Sequence, residues 1–133
     1  MQTGTGPVQE AASKPLLLGL TAAIVVGIIA PLVLPHVPHQ SMIYHVVLHM
    51  ASVTIAAFLS IVSLLAYRRA GGSRTLFMTL GFLALGAVEV SYLLQAAGIP
   101  FLLDIPNLNI EAPHLILLVM LSLFGLGVLK VNK

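Results

Sequence analysis

Four long apolar runs with almost no charged side chains dominate the chain, and they are predicted at residues 15–34, 42–67, 75–97 and 113–129. A helix of about 20 residues, rising about 1.5 Å per residue, matches the ~30 Å hydrocarbon layer of a membrane. Soluble domains carry roughly 25% charged residues, whereas only 8% of these 133 residues are charged. The sequence therefore predicts an all-α, four-helix transmembrane bundle, a multi-pass protein of the cell membrane, and excludes a water-soluble monomer.

The segment before the first run is small, polar and without apolar periodicity. We expect residues 1–14 to form a flexible tail, and residues 15–133 to form a single membrane domain. The first run also has the order of a cleaved signal sequence. However, it is longer than the usual signal core, and no small-x-small cleavage pattern appears between Ala30 and Ser41. We therefore expect the first helix to be retained.

Charge predicts how the four spans are oriented. If they alternate, every positively charged side chain falls on one side: Lys14, Arg68, Arg69, Arg74, Lys130 and Lys133. Because Lys and Arg favour the cytoplasmic side, both termini are predicted to be cytoplasmic. All five histidines then fall on the opposite side, where His36 and His39 are interpreted as interfacial residues.

Four residues in the outer halves of the helices are the candidates for chemistry. His45 and His49 are four residues apart on the second helix, Glu89 interrupts an apolar stretch of the third, and His114 begins the fourth. Counted along the helices, His49 and Glu89 lie at nearly the same depth. A carboxylate at that depth is costly unless it is protonated, paired or bound to a cation, so His49 is its predicted partner.

This set suggests a cofactor. Three imidazoles and a carboxylate from His45, His49, Glu89 and His114 suit zinc or copper. The same three histidines are candidates for axial ligands of haem b. The chain has no cysteine, so thiolate sites are excluded. A purely structural hydrogen bond between His49 and Glu89, with no cofactor, is the alternative.

The second helix has one small and polar face, which is predicted to point inward. Its members are spaced by three or four residues: His45, His49, Ser52, Ala56, Ser60, Ser63 and Tyr67. The other face, which includes Val46 and Val53, is expected to contact lipid or a partner subunit.

Small residues predict close helix contacts. Gly19, Ala23 and Gly27 follow the small-xxx-small pattern of helix association, so we expect this face to contact another helix, either within the bundle or in another membrane subunit or second copy. The same interpretation applies to two pairs of glycines, Gly81 and Gly86 on the third helix, and Gly125 and Gly127 on the fourth.

A formal net charge of +2 is too small to indicate nucleic acid, so the expected surroundings are membrane lipid and membrane subunits.

The stretch LLAYRRAGGSRTLFMTLGFLALG, from Leu64 to Gly86, resembles the helix-loop-helix of small multi-pass archaeal membrane proteins of uncharacterised function. The likeness consists of a tyrosine-arginine exit from one span and a glycine-phenylalanine pair in the next. It implies a multi-pass archaeal or prokaryotic membrane protein, and it transfers no site residue.

The residues thus favour an accessory or redox-support subunit that binds a metal or haem in its outer half. One alternative is a sensor or regulatory module, in which protonation of the His and Glu group or arrival of a ligand shifts helix packing. Another is a purely structural subunit. No nucleophile elbow, P-loop or dinucleotide fingerprint is present, so we expect no catalytic activity of its own.

Overall fold

The computed structural model describes residues 7–37, 39–99, 104–105 and 110–129. Its α-helices are α1 (Pro7–Val33), α2 (Gln40–Ala70), α3 (Ser73–Ala96) and α4 (Ala112–Leu129). A 3₁₀ turn, Leu34–His36, follows α1, and two short antiparallel strands, β1 (Asp104–Ile105) and β2 (Ile110–Glu111), precede α4. Each α-helix contains a segment long and apolar enough to cross a membrane. The prediction of a helical fold with four helices long and apolar enough to cross a membrane is therefore confirmed.

Helix α1 starts earlier than expected. It begins at Pro7, so it includes residues 7–14, which the sequence assigned to a flexible tail; residues 1–6 lie outside the described part of the chain. Proline is well suited to the first turn of a helix because its missing N–H would have no partner there. The segment apolar enough to cross a membrane starts at Ser13. The helix therefore extends beyond the hydrophobic span at this end.

A two-residue turn makes α2 and α3 antiparallel neighbours. Gly71 and Gly72 have φ angles of 64° and 91°, a region that residues with a Cβ rarely adopt. The Thr75 hydroxyl donates to the carbonyl oxygens of both glycines, at 2.5 and 2.9 Å. This turn brings the start of α2 level with the end of α3.

The four helices form a row in which each packs chiefly on its sequence neighbours, α1 on α2, α2 on α3 and α3 on α4. Within their most apolar windows, 28% of the residues of α2 and α3 are buried, against 11% in α1 and α4. The outer helices therefore present wide apolar faces, as expected for surfaces that contact lipid or other membrane subunits.

The main apolar core lies at the end of the bundle where α2 begins and α3 ends. It comprises Val33, Val46, Met50, Val53, Leu93, Ala96 and Ala97. The expectation that Val46 and Val53 face lipid is wrong, since both are buried. The reason is that α2 packs between α1 and α3. These two helices together cover more of its circumference than the small and polar face alone.

Close contacts form at some of the predicted glycines. A Cβ on Gly81 would lie 2.6 to 2.9 Å from ring atoms of Phe124, and one on Gly127 would lie 3.3 Å from the Met78 sulfur. These two glycines let α3 and α4 approach closely. Gly125 instead faces open space, so it makes no close helix contact within the described bundle.

The small face of α1 is not packed within the bundle. Nothing lies within 4 Å of a Cβ built on Gly19 or Gly27, and Ala23 is exposed. Helix α1 instead buries Thr21 and Val33. If the small face has a protein partner, that partner belongs to another subunit.

Charge separates the two ends of the molecule. The described Lys and Arg side chains are at the end where α1 and α3 begin: Lys14, Arg68, Arg69 and Arg74. The five histidines are at the other end, which we call the histidine end: His36, His39, His45, His49 and His114. The predicted division of charge is therefore confirmed for the described residues, while Lys130 and Lys133 lie outside them.

Candidate functional site

The centre of the candidate site is a contact between α2 and α3. His49 Nδ1 lies 2.9 Å from Glu89 Oε2, and the two side chains are only 15% and 20% exposed. The antiparallel arrangement of α2 and α3 brings the two residues to the same level. The predicted pairing of His49 with Glu89 is confirmed.

A second imidazole extends this contact. His45 lies one helical turn before His49, and the Nε2 atoms of the two rings are 3.2 Å apart. The rings meet edge to face, with centroids 4.6 Å apart. The three residues form a hydrogen-bonded chain: Glu89, His49 and His45. Because His45 is exposed, the chain runs from the partly buried α2–α3 contact to the surface. We call these three residues the Glu-His-His chain.

An aromatic residue that sequence reasoning missed completes the surroundings of the site. The Tyr92 ring lies beside His49, with centroids 5.7 Å apart and planes tilted by 30°. Tyr92 follows Glu89 by three residues, so both project from the same face of α3. This three-residue spacing is the sequence feature from which the place of Tyr92 could have been predicted.

The site lies near one boundary of the membrane span. Helix α2 has 31 residues and is about 46 Å long, about 16 Å longer than the hydrocarbon layer. If both ends share this excess, His45 lies about level with the edge of the hydrocarbon. His49 then lies about 6 Å inside it, and the same count on α3 places Glu89 about 7 Å inside. His45 thus connects headgroup water to the inner pair.

His114 does not join this chain. Its Nδ1 lies 3.4 Å from Glu111 Oε2, and the two side chains are 63% and 47% exposed. His114 is in the first turn of α4, where an acid three residues earlier is the nearest partner. Among the described residues, no group of three or more His, Asp or Glu side chains is placed to hold a metal ion. The predicted set of His45, His49, Glu89 and His114 is therefore not assembled as one ligand shell.

Two proton arrangements satisfy every bond of the Glu-His-His chain. In the first, the His49 Nδ1–H donates to the Glu89 carboxylate, and His49 Nε2 accepts a hydrogen bond from the His45 Nε2–H. In the second, one more proton has entered: His49 Nε2–H donates to His45 Nε2, and a proton is shared between His49 Nδ1 and Glu89. The second arrangement carries no net charge, whereas the first carries one negative charge. The chain can therefore accept a proton from the surface without losing a hydrogen bond.

The same geometry determines which ligands the site could provide for a metal ion. Two nitrogen ligands at about 2.0 to 2.1 Å on a tetrahedral ion are about 3.3 Å apart, close to the 3.2 Å between the His45 and His49 Nε2 atoms. Glu89 is bonded to His49 Nδ1, so it would orient a ligand, as carboxylates behind metal-bound histidines do. A metal here would need further ligands from water or another chain. A haem would need an axial imidazole from a facing helix.

The other polar side chains of the spans serve their own helices. The buried or partly buried hydroxyl groups that donate to a carbonyl oxygen four residues earlier belong to Thr21, Thr54, Ser60, Thr75, Thr79 and Ser91. Within the described side chains, every buried side-chain N or O atom has a partner. On the polar face of α2 below His49, Ser60 and Ser63 both donate to carbonyl oxygens of their own helix.

The comparisons with protein-family models, curated proteins and solved structures found no match to this chain. The resemblance of residues 64–86 to small archaeal membrane proteins therefore stays a prediction.

Proposed function

We propose that the protein is an integral membrane accessory subunit with a regulatory role, in which the Glu-His-His chain senses protons at the histidine end. The observation that carries this proposal is the continuous hydrogen-bonded path from exposed His45 through His49 to Glu89. It joins two helices by titratable groups only. A change in their protonation therefore acts directly on the α2–α3 contact.

The path ends at Glu89, which favours sensing over transport. In the described parts of α2 and α3, the hydroxyl groups of Thr54, Ser60 and Thr79, between Glu89 and the opposite end, donate to carbonyl oxygens of their own helices. No further carboxylate or imidazole leads onward in these segments. A proton that enters at His45 has no such group to reach beyond Glu89.

Protonation at low pH breaks the hydrogen bond between the two imidazoles of the Glu-His-His chain. When both imidazoles are protonated, His45 and His49 present two Nε2–H donors to each other, and no acceptor remains between them. The two positive charges also repel. Because both imidazoles are on α2, we expect His45 to turn toward headgroup water. His49 keeps its Nδ1–H bond to the Glu89 carboxylate, now as an ion pair, so the α2–α3 contact at the histidine end should tighten.

The test is a distance measurement between spin labels on α2 and α3. The chain has no cysteine, so cysteines introduced at Ser41 and Gln95, both exposed at the histidine end, would be the only labelling sites. In bilayers, lowering the pH from about 8 to about 5 spans the usual histidine range. The expected result is a shorter or narrower distance distribution at low pH.

Two variants decide whether the chain carries the response. Glu89→Gln keeps the size of the side chain but cannot ionise, and it should abolish most of the pH dependence. His114→Gln, which removes an imidazole at the same end but outside the chain, should leave it intact. A wild-type distance that ignores pH, or a response that survives in Glu89→Gln, would leave the structural-subunit reading instead.

A second candidate function, binding of a transition metal in a redox-support role, is favoured by the separation of the two Nε2 atoms. Copper or zinc are the metals that suit imidazole pairs. Elemental analysis of the protein purified from membranes tests this directly, and an absorption spectrum tests haem b. Bound metal that is lost in both His45→Ala and His49→Ala, and retained in His114→Ala, would favour this function. Metal-free wild-type protein would remove it.

A further inference from the structure

A cleft at the end opposite the histidines is the strongest feature that the proposed function does not use. It lies between the start of the α1 span and the last turns of α2, with a volume of about 270 Å³. Lys14 and Arg69 contribute cationic groups, and its apolar wall is formed by Leu17, Val62, Leu65 and Ala66, with Ser13 beside Lys14. We call it the basic cleft.

The cations of the basic cleft have no carboxylate partner among the described side chains. The two ion pairs found there, His49 with Glu89 and His114 with Glu111, are both at the histidine end. Arg68 and Arg74 are exposed at the same end as the cleft and add to its positive potential. The region therefore attracts an anion, and the side chains that the structure describes offer it no acid.

The position of the cleft relates it to the lipid boundary. Lys14 is the second residue of the α1 segment that can cross a membrane, and Arg69 is the last but one residue of α2. Both lie where the hydrocarbon gives way to headgroups. Leu17 and Val62 lie one to two turns further along their helices, toward the membrane interior. The cleft thus passes from cationic to apolar in the direction in which a phospholipid passes from phosphate to acyl chain.

We propose that the basic cleft binds an anionic phospholipid. The phosphate lies between Lys14 and Arg69, and the first part of one acyl chain lies against Leu17, Val62 and Leu65. The remainder of the lipid stays in the bilayer, because the cleft is open to it. A soluble phosphate would use the two cations but not the apolar wall. Cationic pockets between spans are suited to anionic headgroups in this way.

The experiment measures lipid preference on the full chain in bilayers. Spin-labelled phosphatidylglycerol and phosphatidylcholine compete for the protein, and the fraction of motionally restricted lipid gives their relative affinity. We expect wild-type protein to prefer phosphatidylglycerol. The double variant Lys14→Gln with Arg69→Gln should lower that preference roughly tenfold or more, as expected for two cations at the membrane surface.

Matched variants separate the cleft from general charge. Arg68→Gln with Arg74→Gln removes the same charge from the same end, but neither side chain lines the cleft. This variant should keep the preference within about threefold of wild type. Ala66→Phe keeps both cations but fills the cleft, and it should lose the preference. Equal losses in the two double variants, or full preference in Ala66→Phe, would overturn the proposal.

A competition arm identifies the source of the phosphate. Inorganic phosphate and glycerol phosphate are added to the bilayers at millimolar concentration. If the apolar wall contributes, neither should displace the labelled phosphatidylglycerol. Displacement by these soluble anions would show a phosphate site rather than a lipid site. Because the basic cleft and the Glu-His-His chain are at opposite ends, neither result bears on the proton proposal.

Discussion

Glu89 is a carboxylate inside a membrane span, and it obtains a hydrogen-bond donor from a neighbouring helix. This partner could be predicted, because depth along a straight helix follows from residue count alone and His49 is at the same level. The place of Tyr92 was missed, although its spacing of three residues from Glu89 puts both on one face of α3. His114 was misplaced because depth gave its level but not its lateral position, and it pairs with Glu111 instead.

Removing the donor should cost stability at the residue scale. His49→Ala leaves the partly buried Glu89 carboxylate without a partner, which typically costs about 1 to 3 kcal/mol. Glu89→Gln retains a group that can bond His49 and should cost less. The free energy of unfolding in mixed detergent micelles measures both, with exposed His114→Ala as the control. A His49→Ala cost no larger than that of the control would contradict the assigned contact.

At the scale of the helix, residue size decides which faces meet. The approach of α3 to α4 depends on Gly81, over which the Phe124 ring lies, whereas Gly125 and Gly27 face open space. A glycine in an apolar sequence does not by itself show whether it contacts another helix or faces lipid, because lipid and protein offer similar apolar surroundings. The close contact predicted at Gly81 is therefore confirmed, whereas Gly125 makes none within the described bundle.

Gly81→Ala should separate α3 from α4 locally. Its Cβ would lie under 3.0 Å from the Phe124 ring, and overpacking of this kind costs about 1 to 3 kcal/mol. Gly86→Ala is the matched control, because its Cβ would lie 3.8 Å from Ala56 Cβ, an ordinary contact. Unfolding in detergent measures both variants. Adding Phe124→Leu should recover part of the loss, and equal stability of the two single variants would argue against the tight contact.

We propose that the exposed small face of α1 is an interface with another subunit. Gly27→Leu should then weaken association by about 1 to 3 kcal/mol through overpacking. Gly125→Leu on α4 is the control, since that glycine also faces open space but has no small residue four positions away. Energy transfer between labelled copies in bilayers, or co-purification with membrane subunits, reports the change. Unchanged association in Gly27→Leu would identify a lipid-facing surface.

For the whole molecule, hydropathy was sufficient to predict four spans but not their arrangement. The row of helices could not be anticipated, because a face that contacts lipid and a face that contacts another helix are both apolar, as Val46 and Val53 illustrate. Turn chemistry at Gly71 and Gly72 made α2 and α3 neighbours. That single connection explains why the contact between His49 and Glu89 could be predicted.

The charge division between the two ends predicts the orientation in the cell. Because Lys and Arg favour the cytoplasmic side, a reporter inserted at Gly72 and one fused after Lys133 should both be cytoplasmic, and one inserted near Asn107 should be external. Paired reporters, one active only inside and one only outside, measure this. An external reporter at Lys133 would contradict the model of four spans with a retained first helix.

The most direct test of the Glu-His-His chain is nitrogen NMR of histidine-labelled protein in bilayers. His49→Gln and His45→Gln assign the ring signals. We predict that His49 Nδ1 is hydrogen-bonded and that His49 Nε2 gains a proton as the pH falls from about 8 to about 5. Glu89→Gln should change both His49 signals, and His114→Gln should change neither. His49 signals that are the same in wild type and in Glu89→Gln would contradict the contact between His49 and Glu89.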